Sequence, residues 1–89
     1  MDPSTALVVS LLVAYPAHPQ EPEYVLLRID TIEQVEKGHC PIRVHSGGTW
    51  IDGKGTFPCS VVTLRGGNEM TVFGTVRHVY NKVKEATKP

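Results

Sequence analysis

The chain has 89 residues, nine acidic and nine basic side chains, and 40% hydrophobic residues. A neutral total argues against a strongly basic nucleic-acid binder, and the longest apolar run, ALVVSLLVAYP, falls short of the roughly 20 residues of a membrane-spanning helix. A chain of this size buries only about 60–65% of the surface its unfolded form exposes, so a single domain over residues 1–89 with one small core is expected.

The neutral total hides an asymmetry. Residues 1–36 hold six acids and one base, whereas residues 37–89 hold eight bases and three acids, giving about −5 and +5. Mutual neutralisation across one sheet is the expected use of that dipole, with docking onto another copy as the alternative. Two cysteines do not make a disulfide framework; free thiols and a cytoplasmic, reducing compartment are expected, with a Cys40–Cys59 bridge as the minor alternative. The first apolar run also lacks the basic residues that would precede it in a signal peptide.

In chain order, Leu7 to Tyr15 is rich in β-branched residues and reads as a strand, with a buried helix as the alternative. The proline-rich PAHPQEP is a stiff connector. In EYVLLRIDTIEQVEK the alternation of Val25, Leu27 and Ile29 predicts a strand, a bend at Asp30-Thr31 and a second short strand over Ile32–Glu36. IRVH and TWI flank Gly47-Gly48 as a small hairpin, and DGKG is expected to be a tip or loop.

From Cys59 the pattern is hairpin and then helix. A two-residue turn at Gly66-Gly67 would set Leu64 against Glu69 and bring a carboxylate to the core face. A three-residue loop, Gly66-Gly67-Asn68, instead pairs Leu64 with Met70 and Val62 with Val72, and sets Arg65 across from Glu69. Register follows the hydrophobic pattern, so the odd loop is predicted. A helix follows, capped by Thr75 or Gly74, with Val76, Val79, Tyr80 and Val83 as its apolar stripe and Pro89 beyond its end.

The chemistry-bearing residues are sparse. His39, Cys40, His45 and Cys59 are zinc-type donors, but the spacing of a zinc site is absent, so no metal is expected. Cys40, His39 and Asp52 do not by themselves make a catalytic constellation, and no enzyme activity is expected. SGGTWIDGKGTF lacks a phosphate-loop frame, so no nucleotide or other cofactor is expected. Arg43, Trp50, Lys54 and Phe57, with the basic helix residues Arg77, Lys82 and Lys84, are the candidate contacts for a partner or for nucleic acid.

VVTLRGGNEMTVFGTVRHVYNKV, with Val62, Leu64, Gly67, Met70, Val72, Val76, Val79 and Val83 in place, resembles the small FlbD-like proteins of flagellar operons and phage genomes. LLRIDTIEQVE, through Ile32 and Val35, looks like the element that precedes that run in the family. The resemblance covers residues 24–36 and 59–85, while 38–58 and the first strand depart from it. It implies a β-rich sheet with a C-terminal helix, and a small accessory or regulatory protein of phage or prophage origin, and it carries no catalytic residues.

The expectation is therefore an α+β domain: a small bent antiparallel sheet or partial barrel of five to six short strands with one C-terminal helix. It is expected to act without catalysis, by binding another protein and by self-associating, for instance through strand addition at a sheet edge. Nucleic-acid binding is the alternative function, and no membrane partner is expected.

Overall fold

The computed structural model describes residues 7–17 and 20–88; His18 and Pro19, within the proline-rich connector, and Pro89 lie outside them. Seven strands and one helix follow in order: β1 (Val8–Leu12), β2 (Tyr24–Arg28), a 3-10 turn (Ile29–Thr31), β3 (Ile32–Lys37), β4 (Cys40–Ser46), β5 (Thr49–Phe57), β6 (Cys59–Leu64), β7 (Glu69–Phe73) and α1 (Val76–Ala86). The first apolar run is thus a strand, and the bend expected after Val25-Leu27-Ile29 is the 3-10 turn.

All pairings are antiparallel and fall into three ladders: β1–β2, β3–β6–β7 and β4–β5. The α+β class with one C-terminal helix is as expected. The strands number seven, not five to six, because the small hairpin expected at Gly47-Gly48 extends into two full strands, β4 and β5. The first two ladders are joined on two sides. On one side the chain runs from β2 through the 3-10 turn into β3. On the other, Val13 bridges Val72 and the Ala14 N–H donates to the Thr71 carbonyl at 3.1 Å.

Alternation explains the core. Val9 and Leu11 of β1, Leu27 of β2, Val62 of β6 and Val72 of β7 point inward and are buried, and Val79 of α1 closes one end. The helix stripe is narrower than its spacing suggests. Val79 is fully buried and Val83 half-buried, but Val76 is 37% and Tyr80 64% exposed. Tyr80 therefore does not pack the helix onto the sheet as expected.

The β6–β7 hairpin has an odd loop, one residue earlier than predicted. Arg65, Gly66 and Gly67 form it, closed by the Leu64 N–H to the Asn68 carbonyl at 2.7 Å. Val62 faces Met70 and Ser60 faces Val72, so Leu64 does not face Met70, nor Arg65 Glu69. A shift of two preserves which side chains point inward, which is why the core is unaffected. Arg65 is held elsewhere: its N–H donates to the Thr31 carbonyl at 2.7 Å and its guanidinium to the Asp30 carbonyl at 2.9 Å.

The junction into α1 is fixed by three contacts. Thr75 is the cap, accepting from the His78 N–H at 3.1 Å. The buried Ser60 hydroxyl donates to the Gly74 carbonyl at 2.8 Å, and the Gly74 N–H donates to the Pro58 carbonyl at 3.0 Å. Gly74 sits at φ 111°, where a side chain is strained, and a Cβ there would run into the His78 ring. Gly74→Ala is expected to cost about 1–3 kcal/mol, measured by urea unfolding; an unchanged midpoint would show that the junction bends differently.

Candidate binding cleft and arm

β4 and β5 form an arm that accounts for the elongated outline, 51 × 25 × 22 Å. Its tip is the predicted Gly47-Gly48 turn, with both residues at positive φ (59° and 83°), as a two-residue hairpin loop requires. The segment DGKG is not a tip or loop. It lies within β5, where the register slips between Pro41–Thr56 and Arg43–Asp52 and leaves Gly53, Lys54 and Gly55 opposite Ile42. One face of the arm carries Ile42, Val44 and Ile51, exposed by 39%, 52% and 55%. The other carries an Arg43–Asp52 ion pair at 3.7 Å and an edge-on His45–Trp50 pair with centroids 5.2 Å apart.

The base of the arm is fastened twice. Cys40 and Cys59 form a disulfide across 19 positions, which corrects the expectation of two free thiols. Both are buried, at 2% and 3% exposure. Gly38 is required beside the bridge, because a Cβ there would lie 2.8 Å from the Cys59 Sγ. The second fastening is aromatic. The Tyr15 hydroxyl donates to the Pro41 carbonyl at 2.7 Å, and the Arg43 guanidinium lies 4.4 Å above the Tyr15 ring. Phe57 meets Tyr15 edge-on at 5.4 Å and stacks on Phe73 at 5.7 Å.

Between the arm base and the start of α1 lies a cleft of about 550 Å³. Lys37, His39 and Arg77 contribute its charged and titratable groups, and Phe57, Val76 and the bridged cysteines its apolar surface; no carboxylate lines it. The first turn of α1 holds no acidic residue either. Arg28–Asp30 and Arg43–Asp52 are the ion pairs among the described residues, and neither Lys37 nor Arg77 takes part in them.

No protein-family model, curated protein or solved structure matches the chain.

The seven residues singled out from the sequence separate into groups. Phe57 and Arg77, twenty positions apart, converge on the cleft. Arg43 is committed to Tyr15 and Asp52. Trp50 and Lys54 stand on the arm. Trp50 is seven positions from Phe57 along β5, about 23 Å at strand spacing. Lys82 faces away from the cleft, lining a hollow with Ser10, Leu12, Tyr24 and Phe73. Lys84 is exposed on α1 two turns beyond Arg77, about 10 Å along the axis. Sequence reasoning missed Lys37 and Tyr15, whose roles depend on contacts far along the chain.

Among the described residues, no group of three or more metal-ligating side chains gathers; Cys40 and Cys59, two of the four zinc-type donors, are bonded to each other. Among the same residues, no helix is long and apolar enough to cross a membrane.

Proposed function

We propose that this is a non-enzymatic accessory or regulatory protein that binds another protein through the cleft at the arm base, and that also self-associates. The observation that carries the binding reading is the convergence of Lys37, His39 and Arg77 with Phe57 around one cleft without a carboxylate. A site with cationic edges and an apolar floor suits an extended acidic segment bearing an apolar or aromatic residue. The exposed arm supplies further surface beside it. The absence of catalysis is part of the proposal, and it draws support from the disulfide, which consumes the thiol that Cys–His chemistry needs.

The FlbD-like and phage or prophage assignment belongs to the same proposal. The two runs that resemble that family form β2–β3 and β6–β7–α1, and the departing run 38–58 forms the arm. The cytoplasmic address expected from two cysteines fits poorly with a closed bridge, which reducing compartments keep open. The proposal is accordingly that the protein acts where the bridge can close.

Nucleic-acid binding is the second reading, favoured by the same cations at the cleft. Single-strand sites interleave aromatic platforms with basic residues along one track. Here Trp50 is far from the cleft and Lys82 faces another side, so the protein-binding reading is preferred.

The test is fluorescence anisotropy with a labelled Asp/Glu-rich peptide containing one Phe, and with oligothymidine at low salt. Peptide binding is expected to weaken about tenfold in Arg77→Glu, and less than about twofold in Lys82→Glu, which makes the same charge change outside the cleft. Equal losses, or no binding of the peptide to the wild type, would overturn the reading. Tighter salt-dependent binding of oligothymidine would install the alternative.

A further inference from the structure

A second feature lies on the other side of α1. An apolar groove of about 240 Å³ runs between β3 and the helix, lined by Ile32, Val35, Val79, Tyr80 and Val83 among others, with no charged residue in its lining. Beside it runs a sheet edge that is open among the described residues, because β3 pairs with β6 on one side and is the terminal strand of its ladder. The charge asymmetry of the sequence also survives folding. Among the described residues the two ion pairs, Arg28–Asp30 and Arg43–Asp52, each lie within one half of the chain. Glu33, Glu36 and Lys37 on β3 are exposed and outside any ion pair.

We propose that a second copy of this chain covers the groove, with β3 pairing antiparallel to its own copy about a two-fold axis at Val35. The inference rests on the self-association part of the proposed function and supplies its surface. Antiparallel pairing of identical edge strands is self-complementary by construction, as a two-fold interface requires. Charge then selects the register. Centred on Val35, each Glu33 lies across from the Lys37 of the second copy, twice over, and Gln34 lies across from Glu36. A shift by one in one direction sets Glu33 across from Glu36 twice, a like-charge opposition; a shift the other way puts the apolar Val35 across from Glu36, and both shifts lose the two Glu33–Lys37 pairs. The irregularity between Ile32 and Gln34 confines the pairing to 33–37. The axis keeps both helices on one face of the joined sheet, so Tyr80 and Val83 of each copy meet those of the other over the two grooves. This gives the 64%-exposed Tyr80 an apolar environment that its own protomer lacks.

Light scattering and sedimentation equilibrium of the intact chain test this. The wild type is expected at twice its 9.8 kDa. Glu33→Lys and Lys37→Glu, each alone, place like charges opposite one another and are expected to weaken dimerisation at least tenfold, whereas an equimolar mixture of the two restores it as a heterodimer. Tyr80→Lys, at an exposed position, is expected to shift the mass toward monomer with an unchanged far-ultraviolet circular dichroism spectrum. A wild type that stays monomeric at high concentration overturns the self-association reading and this proposal together. A dimer unaffected by the single variants leaves self-association standing and overturns this surface, and failure of the mixture to restore dimer overturns the register.

Discussion

Cys40→Ala/Cys59→Ala is expected to lower the stability of the domain by about 3 kcal/mol, the loop-closure scale for a bridge of this span. For a domain of this size that is a fall of roughly 12–24 °C in thermal midpoint. The cost is large because the bridge ties the two ends of the arm together where it leaves the rest of the domain. Cys40 begins β4 and Cys59 begins β6, and all nineteen steps between them are arm and connection. Without the bridge, the arm would be held by the Tyr15 hydroxyl bond, the Arg43–Tyr15 contact and the Phe57 stack. An isolated two-stranded hairpin is marginal in water, so hydrogen exchange in 40–57 should accelerate more than in β6 and β7. Thiol titration of unreduced, unfolded protein is expected to find no free cysteine. One or two free thiols, or a double variant as stable as the wild type, would show that the arm base is held by its aromatic contacts alone.

The body formed by β1–β2, β3–β6–β7 and α1 was legible in the sequence because it obeys short-range rules. The β1 run, the β2–turn–β3 succession and the β6–β7 hairpin follow period-2 alternation interrupted by turn residues, and α1 follows a cap and a 3.6-residue stripe. Where the reading slipped, the missing information was long-range. Arg65 belongs to the hairpin loop because the carbonyls of Asp30 and Thr31, over thirty positions earlier, engage it. Tyr80 and Val76 fit the helical stripe by spacing, but the stripe is wider than the core surface it covers, so both stay exposed.

The disulfide had a signal that cysteine counting overlooks. Once a hairpin is centred on Gly47-Gly48, Cys40 and Cys59 bracket its two ends, each next to a proline. A bridge there closes the arm at its base. The cleft was half visible: Phe57 and Arg77 were chosen from local composition. Lys37 joins them only because the arm folds out between β3 and β6 and leaves the end of β3 beside the start of α1.

Leu11→Ala is expected to destabilise the protein by about 2–5 kcal/mol, a thermal shift of roughly 8–40 °C, and to bring so small a domain close to unfolding at physiological temperature. Leu11 is 2% exposed and central in β1, opposite Val25, in the cluster that also holds Val62, Val72 and Val79. The cluster is small, so few neighbours can shift to refill the space. The matched control is Leu26→Ala. Leu26 has the same side chain one strand away, opposite Ser10, and is 69% exposed on the outer face; its loss is expected to change stability by less than about 0.5 kcal/mol. The pair tests inward and outward facing in the β1–β2 ladder, since a slip of one residue would exchange the two faces of the slipped strand. Equal effects of the two truncations, or a larger one for Leu26, would mean that the ladder is turned over or that a partner covers its outer face. Repeating the Leu26→Ala measurement across a dilution series separates these, because only a self-association interface makes the shift depend on protein concentration.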